Sequence, residues 1–299
     1  MPWLQLRINT TRELAPRVEY AMAKSGSLAV TLQDNADHPI FEPALGETPL
    51  WQETRIVGLF EADTDTAAIL ELVLKKSGLS EAQHQWHILE DKDWEREWMT
   101  HYQPIQCGPA FWICPSWTAP PDPNAVNLML DPGLAFGTGT HPTTFLCLQW
   151  LAGENLNNKT VIDYGCGSGI LGIGALLLGA ASVTGTDIDP QALMATQDNV
   201  KRNNLPAASF PVYFPDNCPA EPVDFMLANI LAGPLVELAP TLSALLKPGG
   251  RLCLSGVLET QKDDLLAAYE ATVEIEQVLQ REEWICITGT RRALKSAKE

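Results

Sequence analysis

The sequence predicts an α/β protein in two parts: a Rossmann-like, doubly wound sheet in the C-terminal two-thirds, preceded by a smaller ferredoxin-like α+β domain. Three observations carry this expectation. From residue 159 onward, nearly all-apolar strands alternate with helical segments, as strands covered on both faces require. One of these strands runs through a glycine-rich turn directly into a helix. The first ninety or so residues read strand, helix, strand, strand, helix, strand, the order of a split βαβ unit.

The expected domains are 1–90, a linker helix over 91–103, and 104–299. In the first, strands are expected at 3–10, 27–33, 53–60 and 83–89, and helices at 11–25 and 64–77. This domain offers no glycine loop, no metal-ligand spacing and no catalytic triad, so it reads as a recognition module. Residues 91–98 read as a short helix with Trp94 and Trp98 one turn apart. That pattern fits either a hinge setting domain orientation or two tryptophans packed on one neighbour. Beyond it come strands at 110–115 and 125–130, a helix at 142–151, and strands at 159–164, 181–187, 223–229 and 251–257. Strands near 272–279 and 284–290 form an expected antiparallel hairpin at one sheet edge, and 295–299 reads as a frayed tail.

Composition narrows the function classes. The chain has 299 residues, 45% of them hydrophobic and 19% charged, without repeats or low-complexity tracts, as expected of a globular protein. No secretory signal is visible, and the longest apolar stretch, 170–181, contains glycines and is too short to span a bilayer. A cytoplasmic protein without membrane partners is expected, and a monomer. The seven cysteines form no C-x-x-C pair, which argues against zinc or disulfide frameworks and for free thiols packed inside; no metal is expected. The net charge of −17 repels phosphate backbones and favours a basic partner, although the same acidity serves solubility.

The chemistry is concentrated at Asp163-Tyr164-Gly165-Cys166-Gly167-Ser168-Gly169. Glycines at alternate positions let the backbone approach a ligand, and the helix behind them presents unpaired N–H groups. The next strand ends in Gly185-Thr186-Asp187, placing a carboxylate where it can accept hydrogen bonds from ribose hydroxyls, while Asp189 and Pro190 read as a helix N-cap and first position. A dinucleotide dehydrogenase shares this geometry. Asp163, two residues ahead of the first glycine, sits awkwardly near a pyrophosphate but can hold the loop or reach a cationic methionyl amine. An adenosyl ligand without phosphates is therefore favoured.

D-x-G-x-G-x-G with a downstream acid resembles the class I S-adenosylmethionine-dependent methyltransferases, whose domain carries a seven-stranded sheet. The segments 130–144, reading Leu-Asp-Pro-Gly-Leu-Ala-Phe-Gly-Thr-Gly-Thr-His-Pro-Thr-Thr, and 227–235, reading Leu-Ala-Asn-Ile-Leu-Ala-Gly-Pro-Leu, resemble the PrmA family, which methylates the eleventh protein of the large ribosomal subunit. The resemblance implies that Thr144, Gly165, Asp187 and Asn229 contact S-adenosyl-L-methionine. It implies that the loop from Phe136 to His141, with Thr138, Gly139 and Thr140, closes over the methionine end; Gly137 and Gly139 also fit as turn formers. Gly167 and Asp163 complete the expected cofactor set. The front domain resembles the family's substrate-docking domain. The family trimethylates lysine side chains and the N-terminal amine of its target, so a basic large-subunit ribosomal protein is the implied partner and nucleic acid is not a direct substrate.

Asn229 ends its strand at the sheet edge where such folds bind ligands, and its uncharged amide can accept from an amine or from adenine. It is the expected catalytic residue, with helix capping as the plain alternative. Base methyltransferases follow this position with prolines and an aromatic on which the flipped base stacks; here Ile230-Leu231-Ala232 follows. His141 has a suitable pKa for a base, but it precedes Pro142 and reads as a cap. The expectation is a protein-amine N-methyltransferase. The alternatives are an RNA or DNA methyltransferase on the same fold, or a non-catalytic S-adenosylmethionine sensor.

Overall fold

Strand ends and glycine turns decide where this chain puts its functional residues, and the computed structural model describes residues 2–38, 40, 47–90, 102–131, 137 and 139–293. Packing divides the chain into two units, Met1–Met99 and Thr100–Glu299. The helix expected over 91–98 and the tail at 295–299 lie outside the described residues.

The first unit has the expected order: β1 (Trp3–Thr11), α1 (Ala15–Ala23), β2 (Ala29–Asp34), β3 (Glu53–Glu61), α2 (Thr66–Ser77) and β4 (His84–Leu89). All its pairings are antiparallel, in the order β2-β3-β1-β4. Helix α1 starts later than periodicity suggested, because Thr11 still pairs with Glu53 and Pro16 fixes the first turn. Asp65 caps α2 by accepting from the amides of Ala67 and Ala68, and Gly78 ends it in the left-handed conformation. Leu6, Ile8, Met22, Ile56 and Phe60 fill the core between sheet and helices.

The second unit opens with β5 (Ile105–Gly108), β6 (Phe111–Cys114) and β7 (Val126–Met129), a small sheet of their own. The sequence had suggested β6 and β7 but not the four-residue β5. There follow α3 (Pro142–Leu151), β8 (Thr160–Tyr164), α4 (Ile170–Leu177), β9 (Ser182–Thr186), α5 (Pro190–Arg202) and β10 (Val212–Tyr213). Next are β11 (Val223–Asn229), α6 (Ala232–Glu237), α7 (Ala239–Ala244), β12 (Leu246–Leu258), α8 (Lys262–Tyr269), β13 (Val273–Arg281) and β14 (Trp284–Arg291). The main sheet has seven strands in the order β10-β9-β8-β11-β12-β14-β13. Its first five are parallel, and β14 runs antiparallel between β12 and β13.

This order creates a switch point. The chain winds outward from β8 through β9 to β10, then returns to lay β11 on the other side of β8. Connections leave the carboxyl ends of β8 and β11 in opposite directions, and the crevice between them is where such sheets bind ligands. Strand β11 anchors both layers: Phe225 and Leu227 face one core, Met226 and Ala228 the other. From Phe225 to Ala228 its alternation buries a side chain at every step, which explains the unbroken apolar run there.

All seven cysteines are free, and six are buried as expected, but Cys218 is half-buried. Among the described residues, no helix is long and apolar enough to cross a membrane.

Leu227 lies fully buried at the centre of this sheet. Leu227→Ala should lower unfolding free energy by about 2–5 kcal/mol, by lost transfer energy and the cavity left behind. Urea unfolding measures this, and a loss below about 1 kcal/mol would show that β11 is not the packed centre described.

Candidate functional site

Strand β8 ends at Tyr164 and the chain turns through three glycines with positive φ, Gly165 at 76°, Gly167 at 55° and Gly169 at 78°. A side chain at these φ values is strained. Space forbids one as well: a Cβ on Gly165 would lie 2.2 Å from Ile230 Cγ2, and one on Gly169 would lie 2.8 Å from Thr196 Cγ2. Gly169 is the N-cap of α4 and has no side chain to satisfy the helix amides. The Gly169 amide itself donates to Cys166 O at 2.7 Å, which closes the turn on itself.

The amides of Gly165 and Cys166 both donate to Thr186 O, at 2.8 and 2.9 Å, tying the turn to the end of β9. Asp187 follows directly. Its Oδ2 accepts from the Gly167 amide at 2.9 Å, and its Oδ1 accepts from the Asp189 amide at 3.0 Å. An ionised carboxylate offers about four acceptor positions, so two remain for a ligand. Asp189 caps α5 by accepting from the Gln191 amide at 2.8 Å, as the sequence suggested for that acid.

Asp163 is only 1% exposed. Its Oδ2 accepts from the Gly172 amide at 2.9 Å, while Oδ1 is buried without a hydrogen-bond partner. Of the two roles open to this acid, its Oδ2 contact is the loop-holding one, since it pins the first turn of α4 behind the glycines. Burial is the largest influence on its carboxyl and pushes it up to about 8, with the Gly172 amide opposing and the nearby Cys147 and Asp187 adding to the rise.

Across the switch point, Asn229 ends β11 and its Nδ2 donates to the buried Thr144 Oγ1 at 3.2 Å. That bond commits the nitrogen end of the amide and leaves Oδ1 as an acceptor. Thr144 sits in the first turn of α3, whose N-cap is His141: the imidazole Nδ1 accepts from the Thr143 amide at 3.3 Å. The ring stands edge-on to Trp284 with centroids 4.8 Å apart. Burial lowers the His141 pKa, opposed by Glu282 and Glu283. His141 thus shapes the helix start, and the capping alternative proposed for Asn229 is not used, because Leu231 occupies the N-cap of α6.

Of the loop residues named from the sequence, Phe136 and Thr138 lie outside the described residues. Gly139 is buried with φ 84°, and a Cβ there would meet Ile113 Cδ1 at 2.5 Å; Thr140 is exposed. Three contributors were missed. Ser168 Oγ donates to Gly137 O at 2.7 Å, joining the two glycine loops. Thr196 Oγ1 donates to Gly167 O at 3.0 Å. Gly256, φ 86°, sits at a bulge in β12, where a Cβ would lie 2.3 Å from Ile230 O. An isolated glycine inside a strand signals such a close approach.

Comparison with known proteins agrees with this geometry. The family model described as "Ribosomal protein L11 methyltransferase (PrmA)" matches residues 2–292. A protein of that name from Teredinibacter turnerae is 95% identical over 299 residues, all of both chains. Another, from Saccharophagus degradans, is 63% identical over 292 residues, 98% of this chain and all of the relative. A crystal structure of ribosomal protein L11 methylase from Lactobacillus delbrueckii subsp. bulgaricus superposes with a TM-score of 0.59 at 31% identity, over 64% of this chain and 100% of that one.

The buried Asp163 carboxyl has a signature in stability. Its folded pKa is raised from 3.8 to about 8, so within that window the native chain holds a proton that the unfolded chain releases. This group's contribution to stability therefore falls as pH rises from about 4 to about 8 and is level above that. Asp163→Asn, neutral throughout, should flatten that fall in urea unfolding at about pH 5 and about pH 8 without methyl donor. Equal slopes in the parent and the variant would contradict the assignment.

Proposed function

The chain belongs to the PrmA family of ribosomal protein L11 methyltransferases, and from that premise we propose that it transfers methyl groups from S-adenosyl-L-methionine to lysine side chains and the N-terminal amine of ribosomal protein L11. The observation that carries this reading is the pairing of two strand ends across one switch point. Asp187 stands at the end of β9 with acceptor capacity to spare, and Asn229, held by Thr144, stands at the end of β11.

The residues present fit the methyl donor. Gly165 and Gly169 leave no room for a side chain, so the backbone there stays bare, and no basic residue lies from Gly165 to Gly169 to meet phosphates. Asp187 would hold the ribose hydroxyls; Thr144, Gly165, Gly167 and Asn229 would line the rest, with Gly139, Thr140, Phe136 and Thr138 on the side of the methionine end. Asp163 supports the cradle from behind. When bound, S-adenosyl-L-methionine supplies an already activated methyl group, so the chemistry requires neither a covalent enzyme intermediate nor a metal.

What remains for the chain is positioning and a neutral amine. Deprotonating a lysine of pKa about 10.4 costs on the order of 4.6 kcal/mol at pH 7, against roughly 1 kcal/mol for an α-amine near 8. With its nitrogen bonded to Thr144, Asn229 would use its carbonyl oxygen to accept from the remaining N–H of such an amine and aim its lone pair. Being uncharged, it does so without stabilising the protonated form as a carboxylate would.

The net charge of −17 suits a basic substrate. The first unit is the docking module for it, the enzyme works as a monomer, and the cytoplasm, where ribosomes assemble, is its place of action. The residues after Asn229, Ile230-Leu231-Ala232, supply no ring on which a base could stack, which disfavours a nucleic acid substrate.

Incubation of purified protein with labelled donor and, separately, ribosomal proteins, RNA and DNA should label L11 alone, at amines located by mass mapping. Label confined to RNA would overturn the substrate, and donor binding without transfer would leave only a sensor. Asp187→Ala should weaken donor binding by about 1.5–3 kcal/mol through loss of charge-assisted hydrogen bonds. Calorimetry reads this, and unchanged affinity removes Asp187 from the site. Asn229→Ala should lower kcat by about a hundredfold through misplacement of the amine, with donor affinity far less affected. Initial rates at saturating donor separate the two, and an unchanged kcat would refute the role.

A further inference from the structure

One large apolar side chain stands in solvent close to Asn229. Leu231 is 56% exposed and lies two residues further on, so its Cα is within about 7 Å of the Asn229 Cα. The residue between them is fixed in place, because Ile230 fits only where Gly165 and Gly256 lack a Cβ. Leu231 itself has extended backbone, φ −60° and ψ 151°, and is the N-cap of α6, which carries Ala232 and Leu235 into the core. Both ends of this short segment are anchored, and the leucine is held outward on a rigid support.

A single exposed leucine is ordinary on a protein surface. This one is set apart by its place. Large apolar side chains are exposed just past three strand ends of the main sheet, at the edge where such sheets bind ligands: Ile188 after β9, Phe214 after β10 and Leu231 after β11. Ile188 follows Asp187, and the Asp187 amide donates to Tyr213 O at 3.2 Å, which sets Phe214 close to that acid as well. Those two belong to the donor's half of the crevice. Of the three, Leu231 stands on the Asn229 side, in a run from Phe225 to Val236 without one charged residue, in a chain that has 37 acids.

Resting on the proposed transfer to lysines and an α-amine, we infer that Leu231 is a specificity-determining residue, a shelf for the methylene stem of the acceptor lysine. Lysine lays its stem along apolar surface while its nitrogen reaches a polar partner. Fully extended, that stem carries Nζ roughly 6 Å from its own Cα, which matches the span between Leu231 and Asn229. A lysine lying on the shelf brings its Nζ to the Asn229 carbonyl oxygen beside a segment that has no carboxylate. A carboxylate there would hold the amine protonated, whereas apolar cover favours the neutral form that reacts. An N-terminal α-amine has no such stem, so Leu231 contributes little to its placement. The shelf therefore sets the balance between the two acceptor classes and leaves the transfer step itself untouched.

The test is competition within one substrate molecule. The full chain, labelled donor and intact L11 are incubated to low turnover, and mass mapping reads the ratio of label at lysines to label at the N-terminal amine. Donor binding is common to both classes, so a change in the ratio reports the acceptor position. Leu231→Ala should lower the ratio about tenfold through lost contact with the stem, with donor affinity by calorimetry unchanged. Leu231→Met, which keeps an apolar side chain of similar volume, should hold the ratio within about twofold of the parent. Leu231→Ser, a good N-cap residue, replaces the alanine variant if that one folds poorly. A role in folding or donor binding would depress both classes together. An unchanged ratio, an equal loss at both classes, or a loss that methionine does not rescue would overturn the inference. Where the parent labels lysines alone, a fall in lysine rate at unchanged donor affinity, rescued by methionine, decides in its favour, and an unchanged lysine rate decides against it. A parent that labels no L11 lysine overturns the assigned activity and the shelf with it, whereas a parent that labels both classes leaves only the shelf at issue.

Discussion

The hydrogen bond from the Gly167 amide to Asp187 Oδ2, 2.9 Å long, couples the two features on which the site depends. It joins the middle of the glycine turn after β8 to the carboxylate after β9, so neither can be placed without the other. The Asp189 amide takes the second oxygen, which fixes the carboxylate plane at the start of α5. A charge-assisted contact of this kind is stronger than a neutral one and orients the acid before any ligand arrives. The same acid that positions the turn keeps acceptor capacity beyond these two bonds.

Around that link the structure trades side chains for close backbone approach. Ile230 fits because Gly165 and Gly256, one on each side of it, both lack a Cβ. Ser168 draws Gly137 toward the turn, and Asn199 Nδ2 donates to Ser168 O at 2.8 Å from α5 behind it. The strand ends at β8, β9 and β11 are thus braced by contacts from α3, α4 and α5, on a sheet whose central strand is buried on both faces. Rigid elements carry the polar groups, which suits a reaction in which positioning dominates.

Much of this was legible in the sequence because it rests on local patterns. Alternating apolar runs gave the strands from β8 to β14, with the exception of β10, whose two residues are too few to show a period. The βαββαβ order, the glycine turn and the Asp189 cap were readable from spacing and capping rules. Contacts that bring distant positions together were not. Thr196 and Ser168 act through single hydrogen bonds to main-chain oxygens, and a serine or threonine makes no such announcement in a helix or turn. Gly256 did carry a signal, a lone glycine within a strand, which pattern reading passed over.

The central claim is that one adenosyl ligand spans the switch point, with its ribose at Asp187 and its reacting end at Asn229 and Thr144. A crystal structure with S-adenosyl-L-homocysteine measures this most directly. It should show both ribose hydroxyls within hydrogen-bond distance of the Asp187 carboxylate and the sulfur on the Asn229 side of the glycine turn. A ligand lying elsewhere, or one whose ribose leaves Asp187 untouched, would contradict it.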